Sequence, residues 1–172
     1  MSAVLSNPSI DPNDMHAHQF HDWLMLHARL LREGKVAEAD LVHIAQELEE
    51  MGNEIESALV SFFRQTIVHL CKIRYATKIE LINHWRAEIS NFRSEIDERA
   101  INRFSNPDKI EKIFGKAWQG ARKNLKVVMT ADEYKRVPLD CPFTLLQTRD
   151  AEYFPEPMVL ADSGSSDNDR PA

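Results

Sequence analysis

The most regular feature of the sequence is an apolar repeat that runs from Asp40 to Tyr75. Its apolar side chains recur at steps of three and four residues, at Leu41, Ile44, Ala45, Leu48, Met51, Ile55, Leu59, Phe62, Leu70 and Ile73. Such steps mark one face of an α-helix. No proline interrupts the segment, and Gly52 lies on the apolar side, where glycine allows close packing of a second helix. The pattern predicts one unbroken helix, roughly 54 Å long at 1.5 Å per residue, along which other helices must lie.

The two halves of this helix differ in composition. Up to Glu56 the outer face is acidic, whereas from Leu59 onward apolar residues also occupy other faces. A helix that is apolar on most sides is buried on most sides. The second half is therefore expected at the centre of a bundle or at a subunit interface. The interface candidates are Val60, Phe63, Ile67 and Val68, together with Trp118 on a later helix.

Three further helices follow from the same spacing. They cover residues 14–32, which Gly34 ends, residues 82–104 and residues 110–128, and a bend is expected near residues 77–80. Pro107 separates the last two helices because proline cannot continue a helix, and either Ser105 or Asn106 suits the next N-cap. Between Val137 and Pro157, four prolines surround one short helical turn, residues 144–149.

These elements predict an all-α fold, an antiparallel bundle of four main helices with one long central helix and a C-terminal proline-rich strap. The expected organisation is a flexible leader over residues 1–13, a single helical-bundle domain over residues 14–157, and a disordered acidic tail over residues 158–172.

The composition is that of a soluble globular protein, with 43% hydrophobic and 28% charged residues. No segment approaches the ~20 consecutive apolar residues of a membrane helix, and the N-terminus lacks the pattern of a signal peptide. Cys71 and Cys141 are expected to be free thiols of a reducing compartment, with Cys141 the more reactive. The expected location is the cytoplasm, and no membrane partner is expected.

Charge is distributed unevenly along the chain. Residues 1–63 carry eleven Asp/Glu and three Lys/Arg, a net charge of −8, whereas residues 64–136 carry sixteen Lys/Arg and nine Asp/Glu, a net charge of +7. One interpretation is that acidic early helices lie against basic later ones and neutralise them. The other is a basic face for nucleic acid or an acidic partner. Acidic residues interleaved among the basic ones weaken the second interpretation, so nucleic acid is not an expected partner.

Several segments are similar to one bacterial family. FHDWLMLHARLLREGKV, ADLVHIAQELEEMG, HLCKIRYATK, HWR and CPFTLLQTRDAEYFP resemble domain of unknown function twenty-nine, DUF29, over roughly residues 20–155. Ile73 departs from the pattern, since an aromatic residue is expected after HLCK. The resemblance implies an all-helical fold and a bacterial cytoplasmic setting, and it implies no reaction.

Histidines and carboxylates offer a candidate metal site. His43 and Glu47 lie one turn apart on the long helix and could bind a metal with His27 or His84 from another helix. The simpler interpretation is a solvated acidic face. His16, His18 and His21 near the N-terminus could also bind a metal, although alternate spacing at a frayed terminus favours no function.

Arg64 and His69 match the R-x-x-x-x-H spacing of helical ribonucleases of the HEPN superfamily. In such an enzyme the histidine would transfer protons and the arginine would stabilise phosphate charge. Residues five apart lie about 140° apart on a helix, however, and a hydrogen-bonded core histidine is the simpler interpretation of His69.

The sequence as a whole favours a non-enzymatic protein-interaction module that self-associates into a homo-oligomer through the Leu59–Ile73 half of the long helix. No cofactor is expected. The alternatives are a HEPN-like ribonuclease that uses Arg64 and His69, and a metal-binding helical bundle.

Overall fold

The computed structural model describes the backbone of residues 12–158 and the side chains of residues 15–98 and 101–158. The predicted leader and acidic tail lie, except for their innermost residues, outside this range. Within it the chain is helical and contains no strand, so the all-α prediction is confirmed. The α-helices are α1 (Pro12–His18), α2 (Phe20–Arg32), α3 (Leu41–Tyr75), α4 (Ile82–Glu95), α5 (Pro107–Val128), α6 (Ala131–Lys135) and α7 (Leu145–Arg149).

The predicted long helix is confirmed as α3, which is 35 residues long and passes Gly52 without a break. No other helix of the described chain packs closely against that glycine, because nothing beyond the neighbouring turns of α3 lies within 4 Å of the position that a Cβ would take at Gly52, so the role predicted for it stays a prediction. By contrast, Gly120 of α5 does make a close contact, since a Cβ there would lie 3.0 Å from Arg64 Cδ.

The chain divides into two compact units, Met1–Asn53 and Glu54–Ala172, which we call the N-terminal unit and the C-terminal unit. The boundary between them falls inside α3. The single domain predicted for residues 14–157, the antiparallel arrangement and the strap stay predictions.

In the N-terminal unit, the predicted first helix is two helices. Gln19 separates α1 from α2 because its backbone is not helical, with φ −132° and ψ 47°. The predicted end of α2 is confirmed, since Gly34 has φ +72°, a left-handed conformation that glycine adopts without strain.

The predicted third helix changes type before it ends. After α4 the backbone forms a π-helix over Ile96–Ala100 and then a 3₁₀ turn over Ile101–Arg103. Ile96 and Ile101 are both buried. Residues five apart point in different directions on an α-helix, whereas the wider π turn brings them toward one face. Packing of these two isoleucines explains the departure.

Local capping residues define the ends of the later helices. Asn106 is the N-cap of α5 and accepts a hydrogen bond from the backbone N–H of Asp108 at 2.9 Å. Thr144 caps α7, the predicted short turn. Helix α6 was not predicted, although Thr130 and Glu133 form its capping box.

The core of the C-terminal unit brings together α3, α4 and α5. Leu59 and Phe63 of α3, Ile89 of α4 and Ile113 of α5 are fully buried in it. Phe143 from the segment after Val137 is buried in the same core.

Candidate functional site

The side chains predicted to form a subunit interface lie inside the C-terminal unit. Phe63 and Ile67 are fully buried within the single chain, and Val68 and Trp118 are nearly so. Val60 is half-buried and packs against the same core. A side chain that this chain already covers offers little surface to a second protein molecule. Phe63, Ile67, Val68 and Trp118 belong to the chain's own core and Val60 packs against it, so an interface role for these five residues stays a prediction.

The exposed apolar side chains of α3 lie in its first half instead. Leu41, Leu48 and Met51 are 50%, 63% and 58% exposed. No residue between Leu41 and Asn53 is buried. This part of the predicted apolar face, which we call the exposed stripe, consists of Leu41, Ile44, Ala45, Leu48 and Met51.

The interior of the N-terminal unit is organised around Trp23, which is 1% exposed. Its ring centroid lies 4.7 Å from that of His16, 4.4 Å from that of His27 and 6.5 Å from that of His43. The rings of His16 and His43 are themselves 4.6 Å apart. Because these residues come from α1, α2 and α3, this histidine–tryptophan cluster joins the three helices of the unit.

Carboxylates pair with two histidines of the cluster. His43 Nδ1 donates to Asp40 Oδ2 at 2.5 Å, and His16 Nε2 donates to Glu47 Oε1 at 2.7 Å. Asp40 also accepts the backbone N–H of His43 at 3.2 Å, near the start of α3. Burial alone would raise the pKa of Asp40, but the hydrogen bonds from His43 outweigh burial and hold that pKa below its ordinary value.

The cluster determines which side of α3 faces outward. His43 and Glu47 point toward α1 and α2, since both contact residues of the cluster. Leu48 follows His43 by five residues, which is about 140° around the helix. Helices α1 and α2 therefore pack against the polar side of the first half of α3 and leave its apolar side in water.

The packing of the cluster bears on the hypothesis that His43 and Glu47 bind a metal. His27, His43 and Glu47 do come together, with His16, but His84 belongs to α4 in the other unit. His43 and Glu47 each bind a different partner, Asp40 and His16. Among the described residues, no three His, Cys, Asp or Glu side chains are arranged to hold a metal ion. The predicted ligand set of His43 and Glu47 with a further histidine is therefore not formed there.

The structure does not bring Arg64 and His69 together at one site. Arg64 lies against Gly120 of α5 and donates to Ser61 Oγ at 3.2 Å. The ring of His69 lies 5.9 Å from that of Phe92 on α4. Burial, followed by the positive charges of Lys72 and His84, lowers the pKa of His69 to about 4. The ribonuclease hypothesis stays a prediction without a shared site for its two residues.

Both cysteines are free thiols, as predicted. Burial raises the pKa of Cys71 well above its ordinary value, and burial also raises that of the half-buried Cys141. Since the thiolate is the reactive form, neither residue is primed as a nucleophile at neutral pH.

Sequence reasoning missed the role of Trp23 as a centre for histidines. A signal was present, because His16, Phe20, Trp23 and His27 follow one another at steps of four, three and four residues. That spacing places them on one helical face, although the break at Gln19 interrupts the helix between them.

Comparison with known families gives a match to the family described as Domain of unknown function DUF29, over residues 15–154. The resemblance inferred from the sequence is thereby confirmed. Comparisons with curated proteins and with solved structures give no match. In the described part of the chain, no helix combines the length and the hydrophobicity that crossing a membrane requires.

Proposed function

The chain belongs to the DUF29 family, whose description names no activity, so we propose a function from the structure: a protein-interaction module that binds its partner through the exposed stripe. The observation that carries the proposal is the orientation of α3. Leu48 and Met51 are more than half exposed, while His43, about 140° around the helix from Leu48, packs against Trp23. Covering apolar surface gains about 25 cal/mol per Å², and contiguous exposed apolar patches mark interaction sites.

Charge along the edge of α3 indicates the kind of partner. Glu56 lies in the C-terminal unit, where Lys109 and Lys116 of α5 each approach its carboxylate to 2.6 Å. Glu49 precedes Glu56 by seven residues, nearly two helical turns, so both lie on the same edge of α3. The exposed stripe therefore suits a partner of the same kind as α5, an amphipathic helix with basic residues beside its apolar face.

The backbone of such a helix has room to approach. Gly52 lies beside Leu48 on the apolar side of α3, and the space above it is open. A glycine at this place lets a partner helix come closer than a larger side chain would allow.

A peptide spanning Pro107–Val128 serves as the test probe because it is a basic amphipathic helix in the intact chain. We expect fluorescence anisotropy to show that the wild-type chain binds the labelled peptide. Leu48→Lys should weaken binding by at least about tenfold, because it places a like charge on the stripe. The matched control is Gln46→Lys, since Gln46 is also exposed on α3 but lies about 160° from Leu48. Equal binding by both variants would refute the stripe as the contact surface.

Self-association, the form of interaction predicted from the sequence, is tested on the same surface. Two copies that met stripe to stripe would bring acidic edges together, and salt would screen that repulsion. Light scattering at low and high salt distinguishes the cases. If the wild-type chain is a dimer that Leu48→Lys dissociates, the partner of the exposed stripe is a second copy of this chain. If the chain is a monomer at both salt concentrations, the partner is a different protein.

A further inference from the structure

A cleft of about 510 Å³ opens on the C-terminal unit beside the last turns of α5. Its walls come from α5, from Tyr134 of α6 and from the loop that carries Leu139. Sites for small molecules have volumes of roughly 300 to 1,000 Å³, so the cleft is large enough for a small organic ligand.

The cleft is positively charged. Arg122, Lys123 and Lys126 line it, and Asp140 is the one carboxylate among its lining residues. The structure shows no ion pair between these three cations and any described residue, whereas Lys109 and Lys116 of the same helix are paired with Glu56. These three cations therefore have no ion-pair partner in the described part of the chain, and Asp140 offsets only one of their charges.

Arg122 supplies an unsatisfied donor. Its Nε is buried and has no hydrogen-bond partner among the described residues. A buried donor without an acceptor costs free energy, and that cost is removed when a ligand supplies an acceptor. A guanidinium matches the oxygens of a phosphate or a carboxylate with two parallel hydrogen bonds.

An aromatic wall lies beside the cations. The indole N–H of Trp118 donates to the carbonyl oxygen of Leu139 at 3.0 Å, which holds the ring and the loop together. Trp118 and Tyr134 thus offer ring surface to a planar or apolar part of a ligand.

We propose that this cleft binds a small phosphate monoester that carries a planar or apolar group. Three cations and one carboxylate leave a net charge of +2, which balances a phosphate monoester near −2 at neutral pH. A ligand that carries one carboxylate would balance only half of the net charge of the cleft. This binding site is separate from the exposed stripe, and it does not depend on the proposed interaction.

Phenyl phosphate is the probe, and isothermal titration calorimetry of the full chain measures its affinity. We expect phenyl phosphate to bind at least about tenfold more tightly than inorganic phosphate, because the ring gains contact with the aromatic wall. Lys126→Gln should lower the affinity for phenyl phosphate at least about tenfold, because it loses a charge-assisted hydrogen bond. Lys126 is exposed, so this variant is expected to fold. Arg122→Gln should show a comparable loss.

Lys112→Gln is the matched control, since Lys112 is an exposed lysine of α5 outside the cleft. This variant should bind phenyl phosphate with the same affinity as wild type. The proposal is overturned if phenyl phosphate does not bind, or if Lys126→Gln and Lys112→Gln behave alike. It is also overturned if benzoate binds as tightly as phenyl phosphate, which would indicate a carboxylate site. A single-stranded oligonucleotide that binds more tightly and displaces phenyl phosphate would replace the proposal with nucleic-acid binding.

Discussion

Arg93 Nε donates a hydrogen bond of 2.9 Å to the main-chain carbonyl oxygen of Thr148. Its Nη2 donates to the carbonyl oxygens of Gln147 at 3.1 Å and Tyr153 at 2.9 Å. The guanidinium is also 5.1 Å from the ring centroid of Phe154. One side chain, only 4% exposed, thereby joins α4 to the end of α7 and the residues that follow.

We predict that Arg93→Leu lowers the free energy of unfolding by about 3 kcal/mol, because it leaves the buried carbonyl oxygen of Thr148 and two part-buried ones without this donor. Arg93→Lys should recover only part of the loss, since an ammonium cannot reproduce the planar fork of donors. Urea denaturation followed by circular dichroism measures both. The control is Arg86→Leu at an exposed position of α4, which loses a ring contact with Phe154 and should cost less than about 1 kcal/mol. Equal losses at the two positions would contradict the role assigned to Arg93.

Glu133 should make stability depend on pH in the acidic range. Its Oε1 accepts the backbone N–H of Thr77 at 2.7 Å, and its Oε2 accepts that of Thr130 at 2.9 Å. Burial alone would raise the pKa of Glu133, but these hydrogen bonds outweigh burial and lower the pKa from 4.5 to about 2. The folded-state pKa is depressed, so the stabilisation is fully present above pH 4.5 and is lost as the pH falls toward 2.

The free energy of unfolding of Glu133→Gln is therefore expected to be about 2 kcal/mol lower than that of wild type at pH 7. That difference should shrink as the pH is lowered from 4.5 to 2. Urea denaturation across this range gives the comparison, and Asp132→Asn, at the exposed neighbouring position, is the control. A difference that stays constant with pH would show that the charge of Glu133 contributes nothing.

His69 should stay neutral in the folded chain until the pH approaches 4, because burial, then the charges of Lys72 and His84, lower its pKa from 6.5. Between pH 6.5 and 4 the unfolded chain binds a proton at this position and the folded chain does not, so stability falls as the pH falls through this window. The NMR titration of the His69 ring should have its midpoint near 4. His84→Gln should raise that midpoint by removing one positive charge. A midpoint near 6.5 in the wild type would refute the environment described for His69.

Two glycines on long helices should respond differently to alanine. Gly52→Ala is expected to stabilise the chain by about 1 kcal/mol, because alanine favours the helix and nothing lies within 4 Å of the new methyl group. Gly120→Ala gains the same helical preference but places a methyl group 3.0 Å from Arg64 Cδ, which must move. Thermal unfolding measures both variants. Equal stabilisation by the two variants would mean that the Arg64 side chain moves away from the new methyl group at position 120 without a cost in stability.

Features that depend on neighbouring residues could be predicted from the sequence. The apolar steps from Leu41 to Ile73 predict α3, the residues around Pro107 predict the start of α5, and Thr144 begins the short turn α7. These features follow from hydrogen bonds and side-chain contacts between residues within about one or two helical turns, and the sequence displays such residues together.

The candidate sites could not be predicted in the same way. The apolar repeat shows that Leu48 lies on an apolar face, but the packing of His43 against Trp23 decides that this face stays exposed. Likewise, Arg93 meets Thr148 across 55 positions of sequence. The sequence by itself determined α3, the start of α5 and their apolar faces, because those depend on local periodicity and capping. Only the tertiary structure decided which faces are covered, because that choice minimises the free energy of packing over the whole of each unit.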